Sequence, residues 1–548
     1  MQVLGKERTP ARHGIPHGAP SQIAFEALIA ALHDPATYPH PVQRVDMIET
    51  HISCVLLTGE YVYKIKKPVR LGFLDFSSLD ARRSYCNEEL RLNRRTAPGL
   101  YLDVVPISGS PTAPVLHGGG AAIEYAVRMR QFPQDALLDH MARAGTLASE
   151  HVDALAQSLA VFHSSVGRSG LSTSFGSPSR VLTKAAANFN EMRELAISAT
   201  HLPLQGELRD WMLREHASLA QVLAARQQDG LVRECHGDLH LGNIALIDGV
   251  PTPFDCIEFN ADFRWIDVID EIAFPVMDLL DHQLPELAFR FLNAYLEITG
   301  DYGGVRVLRF YLVYRALVRA KVAGIRAQQT DQPVEERTRS EQSLQRYLKL
   351  ARRLAGWWRP ALIIMHGLSG SGKTTVSQRL LESLATIRLR SDVERKRLHG
   401  FRPEVQTRSG VEQGIYSFDA SAKTYDDLAV KARTLLDAGY PVIVDAAFLQ
   451  HEQRARFREL AAEIGAPFAI VSCVAAISTH RERIVRRTRD ANDASEAGGA
   501  VLDSQLATQD SLTQDETAAA VVVNTEQGAW PQVRAVQELM QRLELGAA

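Results

Sequence analysis

The residues 367–374, Gly367-Leu368-Ser369-Gly370-Ser371-Gly372-Lys373-Thr374, fit the pattern G-x-x-x-x-G-K-[ST]. Glycines at these places let backbone N–H groups turn inward around phosphate oxygens. A following helix adds the partial positive charge of its N-terminus. Lys373 is expected to reach the terminal phosphates and Thr374 to hold Mg²⁺, with Thr375 beside it at the helix start. Asp445, at the end of the apolar run Val442-Ile443-Val444, suits a second contact to the cation. Ala446 follows it, where enzymes that activate water often carry a carboxylate, so the pattern leans toward transfer to a bound acceptor. Asp392 in Leu389-Arg390-Ser391-Asp392 is a candidate to take a proton from an acceptor hydroxyl, or else the N-cap of a helix over 393–399. Arg481, Arg483, Arg486, Arg487 and Arg489 crowd one segment. Arg483 and Arg487, one turn apart, are the favoured pair to meet transferring phosphate, on a lid continued by a flexible stretch 490–500.

A second constellation lies in His236-Gly237-Asp238-Leu239-His240-Leu241-Gly242-Asn243. Phosphoryl transfer to a hydroxyl needs a carboxylate near the acceptor and oxygen ligands for Mg²⁺. Asp238 and Asn243 are spaced to divide those tasks, and Asp255 follows a short hairpin turning at Asp248-Gly249. His236 and His240 read better as structural hydrogen-bonding groups than as reactive ones. Farther upstream, Lys64 and Lys66 in Tyr61-Val62-Tyr63-Lys64-Ile65-Lys66 share a face by the two-residue strand period. Lys64 is preferred for phosphate, with Glu88 or Glu89 as its partner, and a surface role is expected for one of the two lysines.

These candidates need elements to hold them. Apolar β-type runs at 361–365, 387–389, 442–444, 468–474 and 521–523 alternate with helical segments, which predicts a parallel sheet covered by helices. Runs at 52–57 and 61–65 about Thr58-Gly59-Glu60 predict a hairpin. Residues 82–95 predict a charged amphipathic helix, and 103–107 and 122–129 predict further strands. From 136 the chain is mainly helical, with 328–339 as an exposed connection. Residues 1–22 lack an apolar signal core and read as a flexible tail. The expected division is 1–22, then 23–354 with lobes of about 23–135 and 136–354, then 355–548.

The motif H-G-D-x-H-x-x-N resembles aminoglycoside phosphotransferases and related small-molecule kinases. That resemblance implies a two-lobed protein-kinase-like fold, Asp238 as catalytic base, and Asn243 and Asp255 as Mg²⁺ ligands. It also implies that Asp267 and Asp270 buttress the loop. No G-x-G-x-x-G precedes Lys64; the corresponding turn, 49–53, leaves Ser53 or backbone amides to cover phosphate. Residues 361–545 resemble small P-loop kinases of the gluconate kinase and polynucleotide kinase type, through the P-loop, Ser-Asp-x-x-Arg, the 442–445 strand and the arginine segment ending in Asp493-Ala494-Ser495-Glu496-Ala497. The stretch 66–76 is similar to bacterial fusions of these two kinds of kinase. The implied fold class is α/β and α+β multidomain, and the implied cofactors are ATP and Mg²⁺.

The 548 residues carry 61 Lys and Arg against 64 Asp and Glu, a net charge of −3. That balance argues against a nucleic-acid track and against an anionic membrane partner. Five dispersed cysteines without a C-x-x-C pair fit reduced thiols and a cytoplasmic location. Small-molecule acceptors of undetermined identity are therefore expected for a kinase with two nucleotide sites. Two alternatives stand beside that expectation: a P-loop kinase or ATPase regulated by a degenerate kinase-like ligand-binding domain, and a nucleic-acid or nucleotide end kinase.

Overall fold

In the computed structural model, residues 20–71, 74–170, 173–194, 202–329, 333–403, 405, 407, 413–490, 497–526 and 530–544 are described. Of the tail expected over 1–22, residues 1–19 fall outside them and 20–22 instead begin helix Pro20–Ala31; the lid residues 491–496 also fall outside. The chain packs as two compact units. One comprises 1–145, 165–169 and 233–266; the other comprises 146–164, 170–232 and 267–548. This packing groups the chain differently from the sequence division at 354/355.

In the first unit, strands Asp46–Glu49, Ser53–Leu57, Tyr61–Lys66, Glu124–Arg130, Tyr101–Ser110 and Ala113–Leu116 lie in that order in one antiparallel sheet. The two-residue period sorts its side chains. Tyr63 and Ile65 join Phe25, Leu28 and Ile29 of helix Pro20–Ala31 in one core. Val62 joins Cys86 of helix Leu79–Asn93 in the other. Lys64 and Lys66 therefore follow Val62 toward the Leu79–Asn93 helix. The hairpin Ile244–Ile247 and Val250–Pro253 belongs to the same unit and turns where the sequence indicates.

The second unit contains the helices Leu202–Gln228, Val268–Asp281, Pro285–Thr299, Val305–Ala327 and Val334–Ala355. The last begins inside the segment expected to be a connection, because Pro333 sits just before it and Glu335 and Glu336 occupy its first turn, where the helix dipole favours acids. A five-stranded parallel sheet follows, in the order Ile387–Arg390, Pro441–Asp445, Ala361–His366, Phe468–Val474, Ala520–Asn524. Its central strand is apolar and buried along nearly all its length, as a strand covered on both faces must be. Helices Lys373–Leu384 and Trp530–Arg542 supply Val376, Leu380, Ala535 and Leu539 to one covering layer. The expected parallel P-loop architecture is present. Among the described residues, no helix is long and apolar enough to cross a membrane.

Candidate active sites

The parallel register sets Ile364 beside Val444, so the chain leaves the central strand next to Asp445. The loop 367–372 then runs into helix Lys373–Leu384. Gly370 has φ 78°, and a Cβ there would lie 2.7 Å from the His480 carbonyl oxygen, so a larger residue would displace backbone. Lys373 Nζ donates to the carbonyls of Gly367 (2.8 Å) and Leu368 (2.9 Å). It is half-buried, with its ammonium turned back onto the loop that precedes it. Burial lowers its pKa from the ordinary lysine value. Asp445 is buried and accepts from the Ser377 hydroxyl at 3.0 Å.

Lys373, Thr374, Thr375, Asp392 and Asp445 all line one cavity of about 950 Å³. Its wall also carries Arg390, Arg395, Arg483, Arg486 and Arg487, six cations in all against two carboxylates. That excess suits a polyanionic ligand and fits a nucleotide triphosphate with a divalent cation. Asp392 lies in the first turn of helix Ser391–Leu398; the N-cap is Arg390, so the capping alternative for Asp392 fails. Arg483 is anchored by Thr525 Oγ1 at 2.8 Å and the Gly370 carbonyl at 3.3 Å. Arg487 donates to the Ala497 carbonyl at 2.5 Å. Arg481 instead pairs with Asp503 on the exposed side of helix Ile477–Asp490. The Arg489 side chain and Asp493 to Glu496 lie outside the described residues. Ser369 and Ser371 complete the loop; the Ser369 N–H donates to Gln505 Oε1 at 2.8 Å.

The first unit gathers the second constellation. Glu89 Oε1 accepts from Lys64 Nζ at 2.8 Å and Glu89 Oε2 from Lys66 Nζ at 2.7 Å. Lys64 also pairs with Asp255, and Lys66 with Glu258. Glu89 is therefore the partner of Lys64. Glu88 is taken by Arg91 (2.7 Å) and Arg264 (2.9 Å). The expected surface role for one lysine fails: Lys66 is fully buried, because two carboxylates compensate its charge. Burial raises the Glu89 pKa, but Lys64 and Lys66 outweigh it and hold the carboxyl at about 2. Burial pushes Glu258 the other way, up from the ordinary carboxylate value.

Around the loop, Asn243 Nδ2 donates to the Asp238 carbonyl (2.9 Å) and to its Oδ2 (3.1 Å). His236 is buried; its Nε2–H donates to the Phe254 carbonyl at 2.8 Å and its Nδ1 accepts from the Asp238 N–H at 3.3 Å. His240 Nδ1 accepts from the Gly242 N–H at 3.1 Å. Both rings thus have the structural bonds anticipated. Gly237 has φ 91°, and a Cβ would lie 2.6 Å from the Phe263 carbonyl oxygen. Asp255 holds φ 64°, a left-handed conformation unusual for a side-chain-bearing residue, with its N–H donating to Tyr101 Oη at 3.1 Å. Ser53 is buried and its hydroxyl has no hydrogen-bond partner among the described residues. Asp267 caps helix Val268–Asp281 and pairs with Arg226 at 2.7 Å, while Asp270 pairs with Arg315 at 2.7 Å.

The sequence reading missed Glu258, Tyr101 and Ser377. Ser377 had a legible signal, one helical turn after Thr374 and on the same face. Glu258 and Tyr101 had none, because only the tertiary fold brings them to Lys66 and Asp255.

Residues 362–512 match a family described as an AAA domain. An uncharacterised protein of Mycobacterium tuberculosis (strain ATCC 25618 / H37Rv) is 30% identical over 483 residues, covering 87% of this chain and 94% of its own length. A gluconokinase structure from Sinorhizobium meliloti 1021 aligns with 34% of this chain and 95% of its own, at 22% identity and TM-score 0.25. A choline kinase structure from Cryptosporidium parvum Iowa II aligns with 61% of this chain and 96% of its own, at 10% identity and TM-score 0.38.

Proposed function

The chain belongs to the family of the mycobacterial protein that it matches over nearly that protein's full length, and from this premise we propose that it is an ATP-dependent phosphotransferase with two nucleotide sites, acting on hydroxyls of small molecules. The observation that carries the reading is the 950 Å³ cavity, where the P-loop lysine, two carboxylates and five arginines face one space. Lys373 and the loop amides would hold the phosphates, and Thr374 and Asp445 the Mg²⁺. The cation would withdraw charge from the transferring group. Asp392 would accept the acceptor hydroxyl proton, and Arg483 and Arg487 would neutralise charge on the phosphoryl oxygens.

In the first unit, Lys64 and Glu89 would orient phosphate, and Asn243 and Asp255 would hold Mg²⁺. Asp238 would be the base, its carboxylate steadied by Asn243. One observation favours a second reading of this unit, in which it binds a ligand and regulates the P-loop site. Ser53, the hydroxyl in the turn that replaces a glycine-rich loop, is buried rather than offered to a phosphate.

The test is incubation of the full chain with ATP, Mg²⁺ and a metabolite extract, followed by mass spectrometry. Phosphorylated products that vanish in part with Asp238→Asn and in part with Lys373→Ala support two transferases. Products that depend on Lys373 alone favour the regulatory reading. Absence of any new phosphorylated species across extracts contradicts both.

A further inference from the structure

Arg388 belongs to no motif, yet it is a buried cation close to the P-loop helix. It lies on strand Ile387–Arg390 and is 7% exposed. Its Nη1 donates to Ser377 Oγ at 3.2 Å and approaches the Thr374 carbonyl at 3.5 Å. Its Nη2 donates to Glu297 Oε2 at 3.2 Å, and Glu297 Oε1 accepts from Arg390 at 2.8 Å. Glu297 stands on helix Pro285–Thr299, outside the P-loop segment and in the same compact unit. The chain of contacts ends at Asp445, whose Oδ2 accepts from Ser377 Oγ at 3.0 Å.

The direction of these bonds matters. A guanidinium only donates, so Arg388 occupies a lone pair of Ser377 Oγ and leaves the hydroxyl proton free for an acceptor. Two acceptors compete, Asp445 Oδ2 at 3.0 Å and the Thr374 carbonyl at 3.1 Å. Charge makes the carboxylate the stronger of the two. Asp445 is thereby held through one oxygen, with the other left for a cation. Burial lowers the Arg388 pKa, and Glu297 offsets that cost. Without Glu297 the cation would be buried and uncompensated.

We infer that Arg388 and Glu297 are positioning residues for the P-loop site: through Ser377 they orient the Asp445 carboxylate, so helix Pro285–Thr299 sets the divalent-cation requirement of a cavity that it does not line. This rests on the reading of that site as a Mg²⁺–nucleotide site. Hydrogen-bonded neighbours of metal ligands commonly affect metal affinity about 10- to 100-fold when removed. Loss of the Arg388 charge alone would act in the opposite sense, because a cation near Asp445 repels Mg²⁺. The sign of the change therefore separates orientation from simple charge.

The experiment is a Mg²⁺ titration of fluorescent, non-hydrolysable ATP analogue binding to the full chain. An Asp255→Ala background removes the other candidate site. The pair Arg388→Met with Glu297→Gln removes both charges together, so neither is left buried alone. Its urea midpoint is expected to stay near that of the background while half-saturating Mg²⁺ rises about tenfold. Ser377→Ala, a small change tolerated even if the pair does not fold, is expected to raise the Mg²⁺ requirement in the same direction. An unchanged or lowered Mg²⁺ requirement in Ser377→Ala, or in a folded pair variant, overturns the inference. Background binding that is indifferent to Lys373→Ala overturns the nucleotide reading of the P-loop site itself, and the inference with it.

Discussion

Asp255 and Asp238 lie in one unit but differ in what holds them. Asp255 is gripped by the Lys64 ammonium and set at a positive φ, whereas Asp238 Oδ2 meets the neutral amide of Asn243 at 3.1 Å and the His240 ring at 3.6 Å. Asp255→Ala is therefore expected to weaken Mg²⁺–nucleotide binding in the first unit beyond detection, since loss of a cation ligand exceeds the roughly 10- to 100-fold that loss of a ligand's hydrogen-bonded neighbour costs. Asp238→Asn is expected to leave binding nearly intact while removing transfer. Calorimetry in a Lys373→Ala background checks this, and the reverse order of affinities would contradict the roles given. Motif spacing made Asp238, Asn243, Asp255, Lys373 and Asp445 legible, since each depends on near neighbours in sequence. The choice of Glu89 over Glu88 was not legible, because it depends on which side of the Leu79–Asn93 helix faces the sheet. His366 offers a separate residue-scale test. Burial, with Arg454 and Lys373 adding to it, depresses its pKa to about 4 from the ordinary 6.5. The folded state then resists the proton that the unfolded chain accepts. Stability from this group is fully present above pH 6.5 and is lost as pH falls toward 4. His366→Gln should flatten the pH dependence of the urea midpoint in that window; an identical slope in the variant would contradict the account.

The strand Ile387–Arg390 is an edge of the parallel sheet, and edges leave backbone groups unpaired. Helix Pro285–Thr299 covers it with a side-chain amide. Asn293 Nδ2 donates to the Thr386 carbonyl at 2.8 Å, and Asn293 Oδ1 accepts from the Arg388 N–H at 2.7 Å. Asn293→Leu would bury both groups without partners, which costs about 1–3 kcal/mol for such a group. Urea unfolding of the full chain should show a lower midpoint. An unchanged midpoint would mean that the edge is satisfied in another way. The inner parallel strands were readable because strands covered on both faces are largely apolar, and the two edge strands were readable only from shorter runs, one interrupted by Arg388 and the other with Val522 exposed. The covering helix was not readable as such. Its amphipathic pattern shows that one face is buried, but not that Asn293 and Glu297 meet the edge strand rather than another helix.

At the scale of the molecule, each unit carries its own candidate phosphate lysine, its own candidate cation ligands and its own candidate base. The sequence division at 354/355 follows these functional sets, whereas the compact packing joins the helices over 267–355 to the parallel sheet. Sequence texture records what each segment is made of; it does not record which surfaces of neighbouring helices and strands pack, and that is why the two divisions differ. The claim of two nucleotide sites can be tested without knowing either acceptor. Equilibrium binding of a non-hydrolysable ATP analogue with Mg²⁺ should saturate at two per chain in the wild type. Asp255→Ala and Lys373→Ala should each reduce this to one, and the double variant should bind none. Saturation at one per chain in the wild type, abolished by Lys373→Ala and untouched by Asp255→Ala, would contradict the account and leave the P-loop as the sole nucleotide site.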